Sequence, residues 1–155
     1  MACGAMLTRF APSPTGPLHL GHAYAAMVAY DMAVRAGGAF VLRIEDIDKS
    51  RCRPEWEAQI YDDLRWLGLT WEMPVMRQSE RMPAYHEALL SLENIGLTYA
   101  CHCTRGDIKA ALSAPQEGVT GPDGPVYPGT CRGLGLAREG AAIRLDMAAA
   151  MTRTG

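Results

Sequence analysis

Two histidines three residues apart, His19 and His22, stand where a proline-stiffened loop gives way to a long apolar, alanine-rich segment. The residues before them, Arg9-Phe10-Ala11-Pro12-Ser13-Pro14-Thr15-Gly16-Pro17-Leu18, follow a short apolar run, so the order reads strand, loop, helix. At a helix start the first backbone N–H groups have no internal partner, and the helix dipole favours an anion. Two imidazoles at that corner add donors suited to a polyphosphate. Gly21 between them removes a side chain, so a flat ring can lie against the backbone. The plain alternative is that both histidines only cap the helix.

Two further groups carry chemistry. Arg9 ends the first strand, and its planar guanidinium can hold a carboxylate through two parallel hydrogen bonds. Glu45 ends the next strand and can accept from an ammonium. Together they outline a pocket for an amino acid, or else a structural ion pair; spacing alone leaves both open. Asp46 and Asp48 read as a capped turn, with Asp48 near Arg51, rather than as metal ligands. The other group is Cys101-His102-Cys103 with Tyr127 and Cys131. Three thiolates and a fourth ligand make a closed tetrahedral zinc site, for which His102 is the most ordinary fourth donor and a phenolate is unusual. Cys3 and Cys52 read as incidental.

The elements that must position these groups follow from patterning. A strand is expected at Leu7 to Ala11 and a helix from about Gly21 to Arg35, apolar almost all round and so buried against a sheet. Gly37-Gly38 ends it. Ala39 to Glu45 is a β-rich run, and strand, helix, strand predicts a right-handed parallel crossover. Ligands in such sheets sit at the carboxyl ends of the strands, which brings the histidine loop and the Glu45 turn to one edge. A second helix is expected from about Pro54 to Leu67, with Trp56, Ile60, Leu64 and Leu67 on its core face. A third runs from about Pro83 to Ile95. Between them Thr70 to Ser79 reads as irregular, and Arg77-Gln78-Ser79-Glu80-Arg81 as a solvated turn. A short strand, Thr98 to Cys103, precedes a brief helix from Thr104 to about Leu112. Ala114 to Gly129, rich in Pro and Gly, reads as loop, and Ala141 to Leu145 as one more strand. The chain then runs to Gly155 with no closing signal.

At 155 residues, with 48% hydrophobic and 21% charged residues, the chain is globular and large enough for a core. Met1 to Met6 lacks a signal-peptide pattern, and no apolar run reaches the ~18 residues that span a bilayer, so a cytoplasmic protein without membrane contact is expected. Five cysteines without an export signal point to reduced thiols or a metal. A net charge of −2 excludes bulk electrostatic binding of nucleic acid, so any RNA contact is local. All basic residues except Lys49 and Lys109 are arginines, which suits bidentate recognition of carboxylate and phosphate.

The His-x-Gly-His loop resembles the first signature of class I aminoacyl-tRNA synthetases. The longer string Arg-Phe-Ala-Pro-Ser-Pro-Thr-Gly-x-Leu-His-x-Gly-His is similar to the bacterial glutamyl branch, as is the Gln-Ser-x-Arg string at 78–81. The resemblance implies an α/β fold: the Rossmann-like parallel sheet of a class I catalytic domain, incomplete, with a small inserted zinc-binding segment. It implies glutamate contacts at Arg9, Ser13 and Glu45, with Phe10, Ala11 and Pro12 in the same strand-to-loop segment. It implies ATP contacts at Thr15, Gly16, His19, Gly21 and His22, His19 and His22 being the catalytic pair. The reaction so implied is activation of L-glutamate by ATP with Mg²⁺, then transfer to a tRNA.

Cys-x-Cys followed by Tyr-x-x-x-Cys resembles the zinc site of the glutamyl-queuosine branch, a shortened paralogue, and that resemblance favours Tyr127 over His102 beside Cys101, Cys103 and Cys131. The same branch attaches glutamate to the queuosine of tRNA-Asp. Gly133, standing where many ordinary members have a Cys-x-His histidine, also favours tRNA-Asp over tRNA-Glu; His22 and the Pro-Thr-Gly string suit either. The expected organisation is 1–97 as the nucleotide-binding half, 98–133 as the zinc-binding insertion and 134–155 as the start of a continuing catalytic region. No Lys-Met-Ser-Lys-Ser-like string occurs, so the chain reads as the first half of such a region, inactive by itself and monomeric. The reading from another class is a non-catalytic zinc-bearing RNA-binding module, but basic residues interleaved with aromatic platforms are not found.

Overall fold

The first half of the chain forms its sheet from three parallel strands, and the local sequence explains each step. β1 (Leu7–Phe10) and β2 (Ala39–Ile44) pair in parallel, Leu7 opposite Ala39 and Phe10 opposite Leu42. Between them α1 (Leu20–Arg35) makes the crossover. Every second residue of β2 is buried: Phe40, Leu42 and Ile44. They form one core with Phe10, Ala26, Ala33, Ile60, Leu64 and Leu69. The turn out of α1 needs a glycine at 38, where a Cβ would fall 1.9 Å from the Met6 carbonyl oxygen. That close approach lets the Ala39 N–H reach the same oxygen at 2.9 Å and start the ladder. α2 (Pro54–Trp66) buries Ile60 and Leu64, with Leu67 packed at the margin; Trp56 is only half-buried and lies outside this core.

The structure, a computed structural model, describes residues 6–112, 120–121 and 124–155. It divides into two units, Met1–Ala84 and Tyr85–Gly155.

Three expectations for the first unit need correction. The segment before Ser79 is not irregular throughout. Met76–Arg77 is a third strand, β3, parallel to β2 with Arg43 opposite Met76 and Ile44 opposite Arg77. Gln78–Arg81 is a 3-10 turn, exposed at Glu80 and Arg81 as a solvated turn should be but anchored at its start: Arg77 pairs with Glu57 at 2.6 Å, and Ser79 bonds Asp46. And α1 is not buried all round. Only Ala26 and Ala33 are fully covered, because one stripe of the helix meets the sheet; Leu20, Tyr24, Met27, Val28, Met32 and Val34 stay exposed.

In the second unit, β4 (Thr98–Cys101) pairs antiparallel with a strand at Ala142–Leu145. After α3 (Met82–Asn94), Gly96 turns the chain with φ 74°, a conformation glycine adopts without strain. α4 (Arg105–Leu112) starts with a reciprocal cap: the Thr104 N–H and Oγ donate to Asp107 at 2.7 Å, and the Asp107 N–H donates back. The expected loop at 114–129 lies partly outside the described residues. Within it Thr120–Gly121 and Gly124–Pro125 form a short antiparallel ladder, β5 and β6, which makes Ala142–Leu145 β7. The chain then enters a helix not expected from the sequence, α5 (Met147–Thr154), capped by Asp146, whose carboxylate accepts from the Ala149 N–H. No helix among the described residues is long and apolar enough to cross a membrane.

Candidate functional site

The histidine corner forms at the start of α1. His19 is the N-cap, and its Nδ1 accepts from the Gly21 N–H at 3.1 Å. The His22 Nδ1 accepts from the His19 N–H at 3.3 Å. The rings stack with centroids 3.7 Å apart. An Nδ1 that accepts is unprotonated, so each ring carries its proton on Nε2 and can donate there. Partial burial, then the neighbouring His19, lowers the His22 pKa below its usual 6.5. Gly21 leaves room for the His19 ring: a Cβ there would lie 3.0 Å from it, a tight contact. The flat ring that this glycine accommodates is thus His19's own. Capping and donation are compatible, because they use different nitrogens of the same rings.

The loop before α1 is pinned by its prolines. The Glu45 N–H donates to the Pro12 carbonyl at 3.0 Å, and the Arg53 N–H to the Pro14 carbonyl at 3.0 Å. Pro12 and Pro14 are buried, while Ser13 and Thr15 are exposed and Ala11 and Gly16 half-buried. Phe10 belongs to the core. The sheet therefore brings the Arg9–Gly16 segment to the end of β2 that carries Glu45.

Arg9 and Glu45 do not pair with one another. Arg9 is exposed, and its guanidinium has no ion pair among the described residues. Glu45 is held by Arg43, 2.5 Å away, two residues earlier on the same strand. The sequence reading missed Arg43, although the period of two along a strand puts it on the face of Glu45. It also missed the lock on Asp46: Ser79 donates its N–H at 2.9 Å and its Oγ at 2.5 Å. Burial works to raise the Asp46 carboxyl, but the Ser79 donors outweigh it and hold the pKa below the ordinary value. Asp48 forms the expected turn, with Arg51 at 2.6 Å and Ser50 at 2.6 Å, which hold its exposed carboxyl down to about 2.

The second unit gathers four donors. The sulfurs of Cys101, Cys103 and Cys131 lie within 4.8 Å of one another. The Tyr127 Oη is 3.2 Å from the Cys101 sulfur and 3.6 Å from that of Cys103, and it accepts from the Cys131 N–H at 3.3 Å. His102 points elsewhere, its Nε2 lying 2.9 Å from the Ala137 carbonyl. Cys101 and Cys131 are buried at 1% and 7% exposure. The donor set, three thiols with a phenol among them, suits a soft divalent metal. Tyr127 and Arg144 draw the Cys101 thiol down to about 6. Burial and the three thiols push the Tyr127 phenol up. Arg144, unforeseen from the sequence, lies 4.0 Å over the Tyr127 ring. Cys52 stands apart, with its thiol 3.9 Å from the Glu45 carbonyl; Cys3 lies outside the described residues.

Comparison with known proteins shows the family. Residues 5–139 match the family described as tRNA synthetases class I (E and Q), catalytic domain. A protein of Rhodobacter capsulatus named glutamyl-Q tRNA(Asp) synthetase is 62% identical, over 97% of this chain and 56% of its own length. One of the same name from Symbiobacterium thermophilum is 50% identical, over 86% of this chain and 42% of its own. This chain therefore spans about half the length of these relatives. Among solved structures, a glutamate tRNA ligase of Elizabethkingia meningosepticum in complex with its amino acid superposes with a TM-score of 0.70 at 29% identity, covering 92% of this chain and 32% of the other. With its capped histidine pair on a parallel crossover and its match over most of the length, the chain belongs to the class I tRNA synthetases of the glutamate and glutamine branch.

Proposed function

We propose that this chain carries about half of an enzyme that activates glutamate with ATP and transfers it to the queuosine of tRNA-Asp. The observation that carries the reading is the stacked His19/His22 pair, capping α1 through Nδ1 and leaving Nε2–H free to donate. In the proposed step a glutamate carboxylate oxygen attacks the α-phosphorus of ATP in line. The new bond is an acyl–phosphate bond, and the electron pair of the broken bond leaves with pyrophosphate. The chain does no covalent work; it orients the reactants and stabilises growing charge on phosphate oxygens. The two imidazoles donate to those oxygens, and the Mg²⁺ that accompanies ATP shares their charge. Arg9 receives the substrate carboxylate as an unpaired, exposed guanidinium. Glu45, fixed by Arg43, receives the ammonium, with Ser13 beside them.

Cys101, Cys103, Tyr127 and Cys131 would hold a structural zinc, which supplies folding free energy to the second unit. The proximity of Tyr127 to the thiols supports this ligand set over one with His102. The names of the two relatives described above support tRNA-Asp over tRNA-Glu. In organisation, 1–97 serves nucleotide binding, 98–133 is the metal-bearing insertion, and 134–155 begins the continuing catalytic region. We place the protein in the cytoplasm as a monomer.

The test is glutamate-dependent exchange of labelled pyrophosphate into ATP by protein extended to the length of the relatives. Exchange with glutamate and none with aspartate supports the reading. Calorimetry showing no ATP binding overturns it in favour of a non-catalytic RNA-binding module. The 155-residue chain alone, which has no second lysine-containing ATP loop, should show no exchange.

A further inference from the structure

The metal-ligand reading leaves one charged residue beside the donor cluster without a role. In the β4–β7 ladder Arg144 faces Tyr99, and Ala142 faces Cys101. Residues directly opposite share a face, as do residues two apart along a strand. Arg144 therefore sits diagonally across from Cys101, within reach of a long side chain. Its guanidinium carbon lies 4.0 Å from the centroid of the Tyr127 ring. Its Nε is buried with no hydrogen-bond partner among the described residues. The neighbouring Arg132 is different: it lies over Tyr99 at 5.8 Å and pairs with Asp146 at 3.5 Å, away from the donors. No carboxylate pairs with Arg144 among the described residues.

We propose that Arg144 is a positioning residue of the metal centre: its guanidinium fixes the Tyr127 ring and offsets the negative charge that four anionic donors gather around one divalent ion. The proposal rests on the zinc reading above. Three thiolates and a phenolate leave an excess of about two negative charges around a divalent cation. An adjacent cation that stacks on one ligand and flanks another reduces the repulsion among them, and it does so without taking a coordination position. A guanidinium suits the role better than an ammonium, because it is planar and always charged.

The test uses the full 155-residue chain, stripped of metal and titrated with zinc against a chromophoric chelator, then with cobalt(II) as a spectroscopic probe. Wild type should bind one metal and give the intense visible bands of tetrahedral cobalt. Arg144→Met should bind ~10–100-fold more weakly while keeping the same bands, the usual loss when a partner of metal ligands is removed. Arg144→Lys, which keeps the charge but not the planar stack, should fall between. Arg132→Met should stay within about threefold of wild type, as a surface ion pair predicts. If Arg144→Met does not fold, Arg144→Gln carries the same expectation. Equal affinity of wild type and the uncharged variant overturns the role of Arg144, as does an equal loss in Arg132→Met. No metal bound by wild type overturns the zinc reading itself, a distinct outcome.

Discussion

The histidine corner and the thiol cluster are built on opposite plans. At the thiol cluster the donors already touch one another: Cys103 and Cys131 sulfurs at 3.4 Å, Tyr127 Oη against two thiols, a guanidinium over the ring. At the histidine corner the groups face outward. His19 and Ser13 are exposed, Arg9 has no ion partner, and the rings turn their Nε2 atoms away from the caps. Groups that satisfy one another make a structural centre, whose value is fold stability. Groups held by the backbone and left exposed bond to water until a partner from solution displaces it, which is the plan expected of a binding site.

Substitutions can break that contrast. The largest effect is expected at the thiols. Cys101→Ser, Cys103→Ser or Cys131→Ser should each release the metal and unfold the 100–132 region, since zinc contributes ~10–16 kcal/mol to small sites of this kind. Elemental analysis of protein purified without chelator checks this; metal retained at one per chain in any of the three would contradict it. Tyr127→Phe sharpens the same point: unchanged zinc affinity would return the fourth position to His102 or water.

At the histidine corner the expected effect is on rate. His19→Ala and His22→Ala, in protein of the relatives' length, should each slow pyrophosphate exchange ~10²–10³-fold, the usual cost of one charge-stabilising donor. Rates within twofold of wild type for both would reduce the pair to helix caps. Arg9→Ala and Glu45→Ala come next. Each removes one side of a charge-assisted contact, ~1.5–3 kcal/mol, and should weaken glutamate binding more than ATP binding in calorimetry. Parallel loss of both ligands would point to damage of the loop instead.

The smallest effect is on stability against pH. His22 has a lowered folded-state pKa, so the unfolded chain binds its proton first as pH falls. The His22 contribution is thus complete above the ordinary 6.5, declines as pH drops below it, and is gone below the lowered folded value. Urea midpoints of wild type and His22→Ala should diverge above that window and converge below it. A constant gap would mean that His22 does not titrate with folding.

Much of this was legible in the chain. The crossover from β1 through α1 to β2 follows from a breaker-bounded apolar helix between two β-rich runs, and the three-thiol cluster from Cys spacing, whereas Tyr127 as a fourth donor was suggested only by the family resemblance. What escaped depended on partners far away in sequence. β3 is two residues long and exists because Met76 and Arg77 lie beside Arg43 and Ile44, which no local pattern encodes. Ser79 looked solvated because Asp46, its acceptor, is 33 positions earlier. The full-length apolar character of α1 misled in the other direction: composition reports how much surface a helix can bury, whereas the described residues fully cover only Ala26 and Ala33 of this helix. α5 was missed although Asp146 is a standard cap, because an eight-residue run is too short for helical periodicity to stand out from its neighbours.

The acceptor is the most direct test of the whole account. Protein of the relatives' length should transfer labelled glutamate to queuosine-containing tRNA-Asp, and neither to tRNA-Asp lacking queuosine nor to tRNA-Glu. Labelling of tRNA-Glu with none of tRNA-Asp would contradict it and make the chain part of an ordinary glutamyl-tRNA synthetase.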